Sequence, residues 1–245
     1  FSFTGLGSEW FSAEGLEFYG KINILNAGLV SADIITTVSQ TYSREILTPE
    51  YGFGLDGVLK KRSPDIFSVL NGIDTKEWDP EIDKQIPANY SRSAPEGKAL
   101  CREALLRDCG LNAVESDSPV ISFVGRLSEQ KGIDIILEAF NDILSAGAVL
   151  IVLGKGDERY QSGLARAAAR HKGRVFVRIG YDDSFSRSIY AGSDMFLMPS
   201  RYEPCGLGQL IAMRYGTVPI ARKTGGLADT INDYQPSDGS GTGFL

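Results

Sequence analysis

Residues 119–132 read PVISFVGRLSEQKG, and this stretch decides the fold. The run VISFV at 120–124 is almost wholly apolar, which is typical of a strand that is buried on both faces. The loop after it is bounded by Gly125 and Gly132, and an amphipathic segment of helical length occupies 131–145. The stretch therefore predicts one strand-loop-helix unit of an α/β fold.

The same alternation continues along the rest of the chain. Further apolar runs of strand length follow, each with a segment of helical length behind it. Such alternation predicts a parallel sheet with helices on both faces, and ligands bind such sheets in the loops beyond the carboxyl ends of the strands. The predicted strands are VLIVL (149–153), VFVRI (175–179), MFLMP (195–199) and TVPIA (217–221), and the predicted helices are 158–171, 184–192, 206–215 and 226–233.

The first part of the chain has a different pattern, which predicts a separate domain. A helix is expected at 23–32 and a strand at 34–38, and the next helix begins near Ser39, a residue type suited to capping. The Gly-rich loop YGFGLDG (51–57) and the short strand FSVL (67–70) complete this part.

The domain boundary is predicted between the ranges 1–70 and 71–245. Beyond it, the segment 79–98 is rich in Pro, Asp, Glu and Ser, a composition that indicates a surface connection or an entry to the next domain.

Composition argues against several classes of function. The net charge of −6 over 245 residues does not favour nucleic acid or an acidic membrane as a partner. The three cysteines form no CxxC pair, and the single histidine, His171, leaves little from which to build a metal cluster or a Ser-His-Asp triad. No apolar run approaches the ~20 residues of a membrane span. Because the net charge is negative, any phosphate site must be a local pocket of positive charge.

Arg126 and Lys131 share the loop after the first predicted strand of the sheet. A forked guanidinium and a compact ammonium beside a helix start make a suitable clamp for a diphosphate. The spacing is also consistent with two solvated loop residues, because it matches neither a Walker nor a dinucleotide-binding signature. Lys155, in the tight turn GKGDE (154–158), is more typical of a structural turn.

The loop GYDD (180–183) presents an aromatic side chain and two acids. Tyr181 either stacks on a nucleobase or caps the core, and both interpretations remain open. Asp182 and Asp183 are adjacent and point in different directions, which favours a helix N-cap over a metal site.

A single acid, Glu203, stands in the stretch YEPCGLGQLIAMRY (202–215), in a turn directly before an apolar helix. A helix start offers unpaired N–H groups and partial positive charge to an anion. A carboxylate beside it can accept hydrogen bonds from sugar hydroxyls. The combination indicates a nucleotide sugar, although Glu203 in isolation is more typical of a residue that simply favours the helix start.

Several long motifs occur in order and at suitable distances from about residue 14 to the end of the chain: ITTVSQTYSREI (35–46), LNGID (70–74), GRLSEQKGID (125–134), EPCGLGQL (203–210) and KTGGLADT (223–230). Together they resemble the bacterial glycogen synthase and plant starch synthase family. The resemblance implies a GT-B fold, in which two Rossmann-like domains face each other across a cleft. It also implies retaining transfer of glucose from ADP-glucose to the non-reducing end of an α-1,4-glucan, without a cofactor or bound metal.

The resemblance also implies roles for individual residues. Arg126 and Lys131 would hold the diphosphate, and Glu203 would lie beside the donor glucose, which makes these three the expected catalytic residues. Tyr181 would pack on adenine. The expected substrate-binding set is Asn71, Gly125, Gly180, Tyr181, Cys205, Gly206, Leu207 and Gly208, the last four through backbone groups.

Two departures from the family pattern, and one position that separates sister families, bear on these expectations. Gly208 replaces the Thr, Asn or Ile of many relatives. Ile211 stands where many retaining GT-B enzymes that use other nucleotide sugars carry a second Glu, which favours the glycogen and starch synthase group. The family's KxGGL loop near the N-terminus and its N-domain histidine have no counterpart, since KTGGL (223–227) is the C-domain copy and His171 lies in the wrong region. We therefore expect a fragment with an incomplete N-terminal domain, lacking the N-terminal half of the same enzyme and inactive alone.

Two alternative functions stay open on the sequence. One is a related glycosyltransferase that uses UDP-glucose, and the other is a non-catalytic fragment that binds ADP or glucan. The expected compartment is the bacterial cytoplasm, with the plastid stroma as the alternative.

Overall fold

The computed structural model describes residues 4–12, 15–111 and 114–245. The chain divides into two compact units, Phe1–Asn71 and Gly72–Leu245. The division lies one residue beyond the boundary expected from the sequence. None of the helices in the described ranges combines the length and the apolar character that crossing a lipid bilayer demands.

The N-terminal unit contains two small sheets. Strands β1 (Glu17–Phe18) and β2 (Lys21–Ile22) pair antiparallel, and β3 (Ile35–Thr37) pairs parallel with β4 (Ile66–Ser68). The helices described in this unit are α1 (Ile24–Ser31), α2 (Gln40–Glu45), α3 (Pro49–Gly52) and α4 (Asp56–Lys61).

One local prediction in this unit is confirmed and another is wrong. The Ser39 hydroxyl accepts a hydrogen bond from the Tyr42 N–H at 2.9 Å, so Ser39 caps α2 as predicted. The expected loop at 51–57 instead holds the end of α3 and the start of α4. Phe53 takes the left-handed conformation (φ +49°) that ends α3, so the chain needs only a short break there.

The C-terminal unit is built on a five-stranded parallel sheet, which confirms the predicted α/β class. The strand order is β7-β6-β5-β8-β9, so the direction of winding reverses between β5 and β8. Ligands of such sheets bind in the crevice beyond the carboxyl ends of the strands at this reversal. The strands are β5 (Val120–Leu127), β6 (Val149–Gly156), β7 (Val175–Ile179), β8 (Met195–Met198) and β9 (Val218–Ala221).

Helices cover both faces of this sheet. On β6, which lies between β7 and β5, Leu150 and Val152 pack against one set of helices, and Val149 and Ile151 pack against the other. The segment 131–145, predicted as one helix, contains two helices, because Ala139 interrupts the helical conformation between them. The helices are α5 (Glu96–Asp108), α6 (Ile133–Glu138), α7 (Phe140–Ser145), α8 (Glu158–Arg170), α9 (Asp183–Gly192), α10 (Gly208–Arg214) and α11 (Gly225–Thr230).

The segment 79–98, expected to be a surface connection or an entry to the next domain, is mostly exposed or half-buried but includes several buried residues. Asp83 is buried in this segment, and α5 begins inside it. The Asp83 carboxylate accepts hydrogen bonds from Arg187 Nη1 at 3.2 Å and from the Tyr215 hydroxyl at 2.5 Å. Charged residues indicate a surface only where they have no buried partner. The partner of Asp83 is Arg187, which lies 104 residues away in the sequence, so composition alone does not reveal it.

Lys98 gives this buried region a pH dependence. Its ammonium donates to the carbonyls of Ala191 (3.1 Å) and Tyr215 (3.0 Å), and burial lowers the pKa of Lys98 to about 8. The folded state therefore binds fewer protons than the unfolded state between about pH 8 and pH 10.5, so this residue's contribution to stability rises with pH across that window.

Lys98→Met is expected to lack that rise. The difference in unfolding free energy between the native protein and the variant should change by on the order of 3 kcal/mol across the window. Urea denaturation at a series of pH values measures it. The buried tyrosines, whose pKa values are raised by burial, affect both proteins alike and cancel in the difference. Parallel curves for the two proteins would contradict the assignment.

Candidate active site

A cleft of about 270 Å³ lies at the carboxyl ends of β5, β6 and β7. Gly125, Arg126, Gly180 and Tyr181 all line it, so the structure brings four of the predicted site residues together. Three of the predicted loops thus contribute to one concave surface at the edge of the sheet where ligands are expected.

Arg126 lies on β5 and not in a loop, because the β5–β6 ladder continues beyond the predicted strand ends. Its register partner on β6 is Lys155, which is therefore in a strand and not in the predicted turn. Both side chains are exposed, and adjacent strands lie ~4.8 Å apart, so two cations stand side by side. The Arg126 side chain makes no ion pair or hydrogen bond with any residue that the structure describes, which leaves its guanidinium available to an anion.

Tyr181 does not cap the core, which settles one interpretation left open by the sequence. Its side chain is 82% exposed and lines the cleft, where its ring face is accessible. Gly180 before it has φ +152°, a conformation that a side chain disfavours. Packing of Tyr181 on adenine stays a prediction.

Asp182 caps α9, as predicted from the sequence. Its carboxylate accepts a hydrogen bond from the Phe185 N–H at 2.9 Å, and Arg178 Nη1 donates to it at 2.7 Å. The Phe185 N–H, together with Arg178, holds the pKa of Asp182 below its ordinary value. The carboxylate is thus engaged in local structure.

Lys131 and Glu203 form a direct ion pair at the point where the sheet order reverses. The Lys131 ammonium donates to Oε2 of Glu203, and the Ser200 hydroxyl donates to the same oxygen at 3.0 Å. Glu203 is only 6% exposed. Its other oxygen, Oε1, accepts no hydrogen bond from the described residues, so one oxygen is fixed and the other can accept from a ligand.

The turn that carries Glu203 is fastened to the turn that carries Lys131. Arg201 forms a bidentate pair with Asp134 at 2.7 and 2.6 Å, and its backbone N–H donates to the Gln130 carbonyl at 2.8 Å. The Arg201 hydrogen bonds hold the pKa of Asp134 below its ordinary value. A forked pair of this kind fixes orientation as well as distance. It therefore holds the turn of Glu203 at a constant separation from the turn of Lys131.

Gly132 allows these two turns to meet. It has φ +70°, and a Cβ on it would lie 2.2 Å from the Pro199 carbonyl oxygen. Gly132→Ala is therefore expected to lower the unfolding free energy by about 3 kcal/mol, measured by urea denaturation. Gly173→Ala is the matched control, because Gly173 has φ +83° but no atom within 4 Å of an added Cβ. Gly173→Ala should lower the unfolding free energy by only ~1–2 kcal/mol, which is the cost of placing an alanine in a left-handed backbone conformation. Equal losses in both variants would contradict the close contact.

The predicted helix start at residue 206 is wrong, because α10 begins at Gly208. Gly206 has φ +75°, which lies outside the right-handed α-helical region, and Leu207 separates it from the helix. The backbone N–H groups of the turn find no acceptor within the described parts of the chain. They belong to Cys205, Gly206, Leu207 and Gly208.

The departure from the family pattern at Gly208 has a local explanation. A Cβ on it would lie 3.0 Å from the buried ring of Phe196, so a larger residue here requires that ring to move. Asn71 is exposed at the end of the N-terminal unit, and its place beside the donor stays a prediction.

A protein-family model described as "Glycosyl transferases group 1" matches residues 112–245, which is more than half of the chain. The chain belongs to this family. The model "Starch synthase catalytic domain" matches residues 1–61 of this group 1 glycosyltransferase.

Named relatives confirm the resemblance to glycogen and starch synthases. The glycogen synthase of Syntrophotalea carbinolica is 49% identical over 240 residues, covering 98% of this chain and 49% of that protein. The glycogen synthase of Halorhodospira halophila is 50% identical over 240 residues, covering 98% of this chain and 50% of that protein. The chain thus spans about half the length of the curated relatives it matches.

Solved structures confirm the predicted GT-B, Rossmann-like class. The catalytic domain of starch synthase IV from Arabidopsis thaliana, solved bound to ADP and acarbose, matches with a TM-score of 0.88 and 36% identity. The match covers 94% of this chain and 48% of that one. Sucrose-phosphate synthase from Thermosynechococcus elongatus matches with a TM-score of 0.57 and 21% identity over 85% of this chain and 46% of that one, which shows the fold alone.

Sequence reasoning missed several residues around the site of this glycosyltransferase. Ser200 and Arg201 stand close to Glu203 in the sequence, and their proximity was the available signal. Gln209 is a polar residue inside an apolar helix, which indicates a buried hydrogen-bonding role. Lys155 is expected in a turn from the sequence, and the signal for its pairing with Arg126 is that each of the two follows a glycine after an apolar run.

Proposed function

We propose that the intact protein is a glycogen or starch synthase. It transfers glucose from ADP-glucose to the non-reducing end of an α-1,4-glucan, with retention at the anomeric carbon. The observation that carries this proposal is the Lys131–Glu203 pair, which is followed within a few residues by the unpaired N–H groups of the 205–208 turn. A cation, an acid with one open oxygen and a row of N–H donors suit a substrate that joins a diphosphate to a hexose.

The charges of the site match the charges that develop during transfer. As the bond between the anomeric carbon and the phosphate oxygen stretches, the diphosphate becomes more negative and the sugar ring more positive. Arg126 and Lys131 stabilise the diphosphate, and one preorganised donor of this kind contributes ~3–4 kcal/mol. Glu203 Oε1 accepts a hydrogen bond from a donor hydroxyl and lies near the positive ring.

We assign Glu203 a positioning and electrostatic role, because Lys131 and Ser200 both engage its Oε2 and lower its nucleophilicity. In the proposed front-face substitution, the acceptor hydroxyl oxygen bonds to the anomeric carbon on the side from which the diphosphate leaves. The proton of that hydroxyl passes to the departing phosphate oxygen. No covalent glycosyl-enzyme is required.

The proposed donor is the adenine nucleotide. The exposed ring of Tyr181 in a cleft beside Arg126 supports a stacked base, and a purine offers the larger face. Transfer from ADP-glucose and from UDP-glucose to a maltooligosaccharide, compared with full-length protein, tests this. We expect a preference for ADP-glucose of about tenfold or more in kcat/KM, and an unchanged rate in EDTA. A preference for UDP-glucose would overturn the donor assignment, and loss of activity in EDTA would overturn the metal-free mechanism.

A second candidate describes the chain by itself as an ADP-binding module. All the proposed donor-site residues except Asn71 belong to the compact unit Gly72–Leu245, which favours binding without transfer. Calorimetry with ADP and a transfer assay on the same sample separate the two. The proposed compartment is the bacterial cytoplasm, in keeping with the bacterial relatives.

A further inference from the structure

Gln209 lies under the turn that precedes α10 and is fully buried. Its amide nitrogen Nε2 lies 3.1 Å from the Cys205 carbonyl oxygen, 2.8 Å from the Gly206 carbonyl oxygen and 3.1 Å from Thr230 Oγ1. Carbonyl oxygens only accept hydrogen bonds, so the NH₂ end of the side chain must face them. Gln209 therefore holds two successive peptide carbonyls against the core.

Peptide geometry turns this contact into an orientation of N–H groups. In a trans peptide the C=O and the following N–H point in opposite directions across one plane. Holding the Cys205 carbonyl inward turns the Gly206 N–H outward, and holding the Gly206 carbonyl turns the Leu207 N–H away in the same manner. Neither N–H has an acceptor among the residues that the structure describes.

The backbone around the turn leaves little freedom for another arrangement. A Cβ on Gly206 would lie 2.5 Å from Gln209 Oε1, and a Cβ on Gly226 would lie 2.1 Å from the Cys205 carbonyl oxygen. The turn is thus packed between α11 and the Gln209 side chain.

Packing alone does not account for a glutamine at this position. Gln209 Oε1 is buried without a hydrogen-bond partner among the described residues, which is unfavourable. Methionine fills a similar volume without that cost. What methionine lacks is the NH₂ group that holds the two carbonyls.

We propose that Gln209 is a positioning residue, which aims the N–H groups of Gly206 and Leu207 at an anionic oxygen of the bound nucleoside diphosphate. The inference rests on the proposed function, since that supplies the diphosphate. Gln209 acts through the backbone and does not touch the ligand. Two N–H groups directed at one oxygen form a small anion site that a single buried side chain maintains.

Calorimetry on the full-length protein tests the proposal with two probes, ADP and adenosine. Gln209→Met is expected to weaken ADP binding about tenfold or more and to leave adenosine binding within about twofold, because only ADP carries the diphosphate. Unchanged ADP affinity in the variant would overturn the role of Gln209 and leave the proposed function standing. Wild-type protein that binds ADP no more tightly than adenosine would overturn the proposed function, and this inference with it.

A matched variant separates positioning from loss of stability. The buried Thr217 hydroxyl also contacts two carbonyl oxygens, those of Tyr190 (2.6 Å) and Ser193 (2.9 Å), but at the amino end of β9. Thr217→Val should lower the melting temperature and leave the ADP affinity unchanged. A loss of ADP affinity in Thr217→Val equal to that in Gln209→Met would overturn the specific role of Gln209.

Gln209→Glu supplies a second test if the methionine variant does not fold. A protonated Glu side chain retains an O–H donor for one of the carbonyls, whereas the ionised form has none. The ADP affinity of this variant relative to wild type should therefore recover as the pH falls. A ratio that does not change with pH would overturn the proposal.

Discussion

Arg126→Ala in the full-length protein is expected to lower kcat/KM for glucose transfer by about 10³-fold. The substitution removes the charged guanidinium that is proposed to donate hydrogen bonds to the diphosphate. The side chain is exposed and has no partner in the described structure, so its loss leaves no buried group unsatisfied. The fold should therefore be preserved, with an unchanged melting temperature. Steady-state kinetics with ADP-glucose and a maltooligosaccharide measure the effect.

Lys155→Ala is the matched control for this variant. Lys155 is the register partner of Arg126 on β6, is equally exposed and carries the same charge. A general loss of positive potential would affect both variants alike, whereas a specific contact predicts a loss below about tenfold for Lys155→Ala. Similar losses in the two variants, or an Arg126→Ala enzyme with near-native activity, would contradict the assignment.

Glu203→Gln in the full-length protein is expected to lower kcat by about 10²- to 10³-fold with little change in ADP affinity. The substitution keeps the shape of the side chain and an acceptor for Ser200, but removes the negative charge near the developing positive ring. Lys131 then faces a neutral group, which leaves its charge more available to the diphosphate. Rapid-quench or steady-state kinetics, together with ADP calorimetry, separate the two effects.

Ser200→Ala is the control for Glu203→Gln. It removes the hydroxyl that donates to Glu203 Oε2 at 3.0 Å and leaves the charge in place. Its kcat should fall by less than about tenfold, as expected for one neutral hydrogen bond. If Glu203→Gln retained most of its activity, the carboxylate would have no part in transfer.

The sheet of the C-terminal unit could be predicted from the sequence, because its strands are almost wholly apolar and alternate with amphipathic segments. The strand ends could not. Gly125 and Gly154 suggest turns, yet these residues pair with each other and the ladder continues through Arg126 and Lys155. The preference of glycine for turns is a local one, and here backbone pairing with a neighbouring strand overrides it.

The sequence singled out Lys131 and Glu203 as candidate site residues but did not predict that they contact each other. Lys131 and Glu203 are 72 residues apart, and their pairing depends on β5 and β8 being neighbours, which no local pattern encodes. The buried carboxylate of Asp83 was missed for the same reason, since its partner Arg187 lies on α9. Residue types thus indicated the chemistry of the site, and the strand order determined which side chains meet.

The most direct test is a crystal structure of the full-length protein with ADP. The account predicts that the Arg126 guanidinium and the Lys131 ammonium each lie ~3 Å from a diphosphate oxygen, and that the N–H groups of the 205–208 turn face the same anion. ADP bound with its diphosphate away from the carboxyl ends of β5 and β8, and with Arg126 directed to solvent, would contradict it.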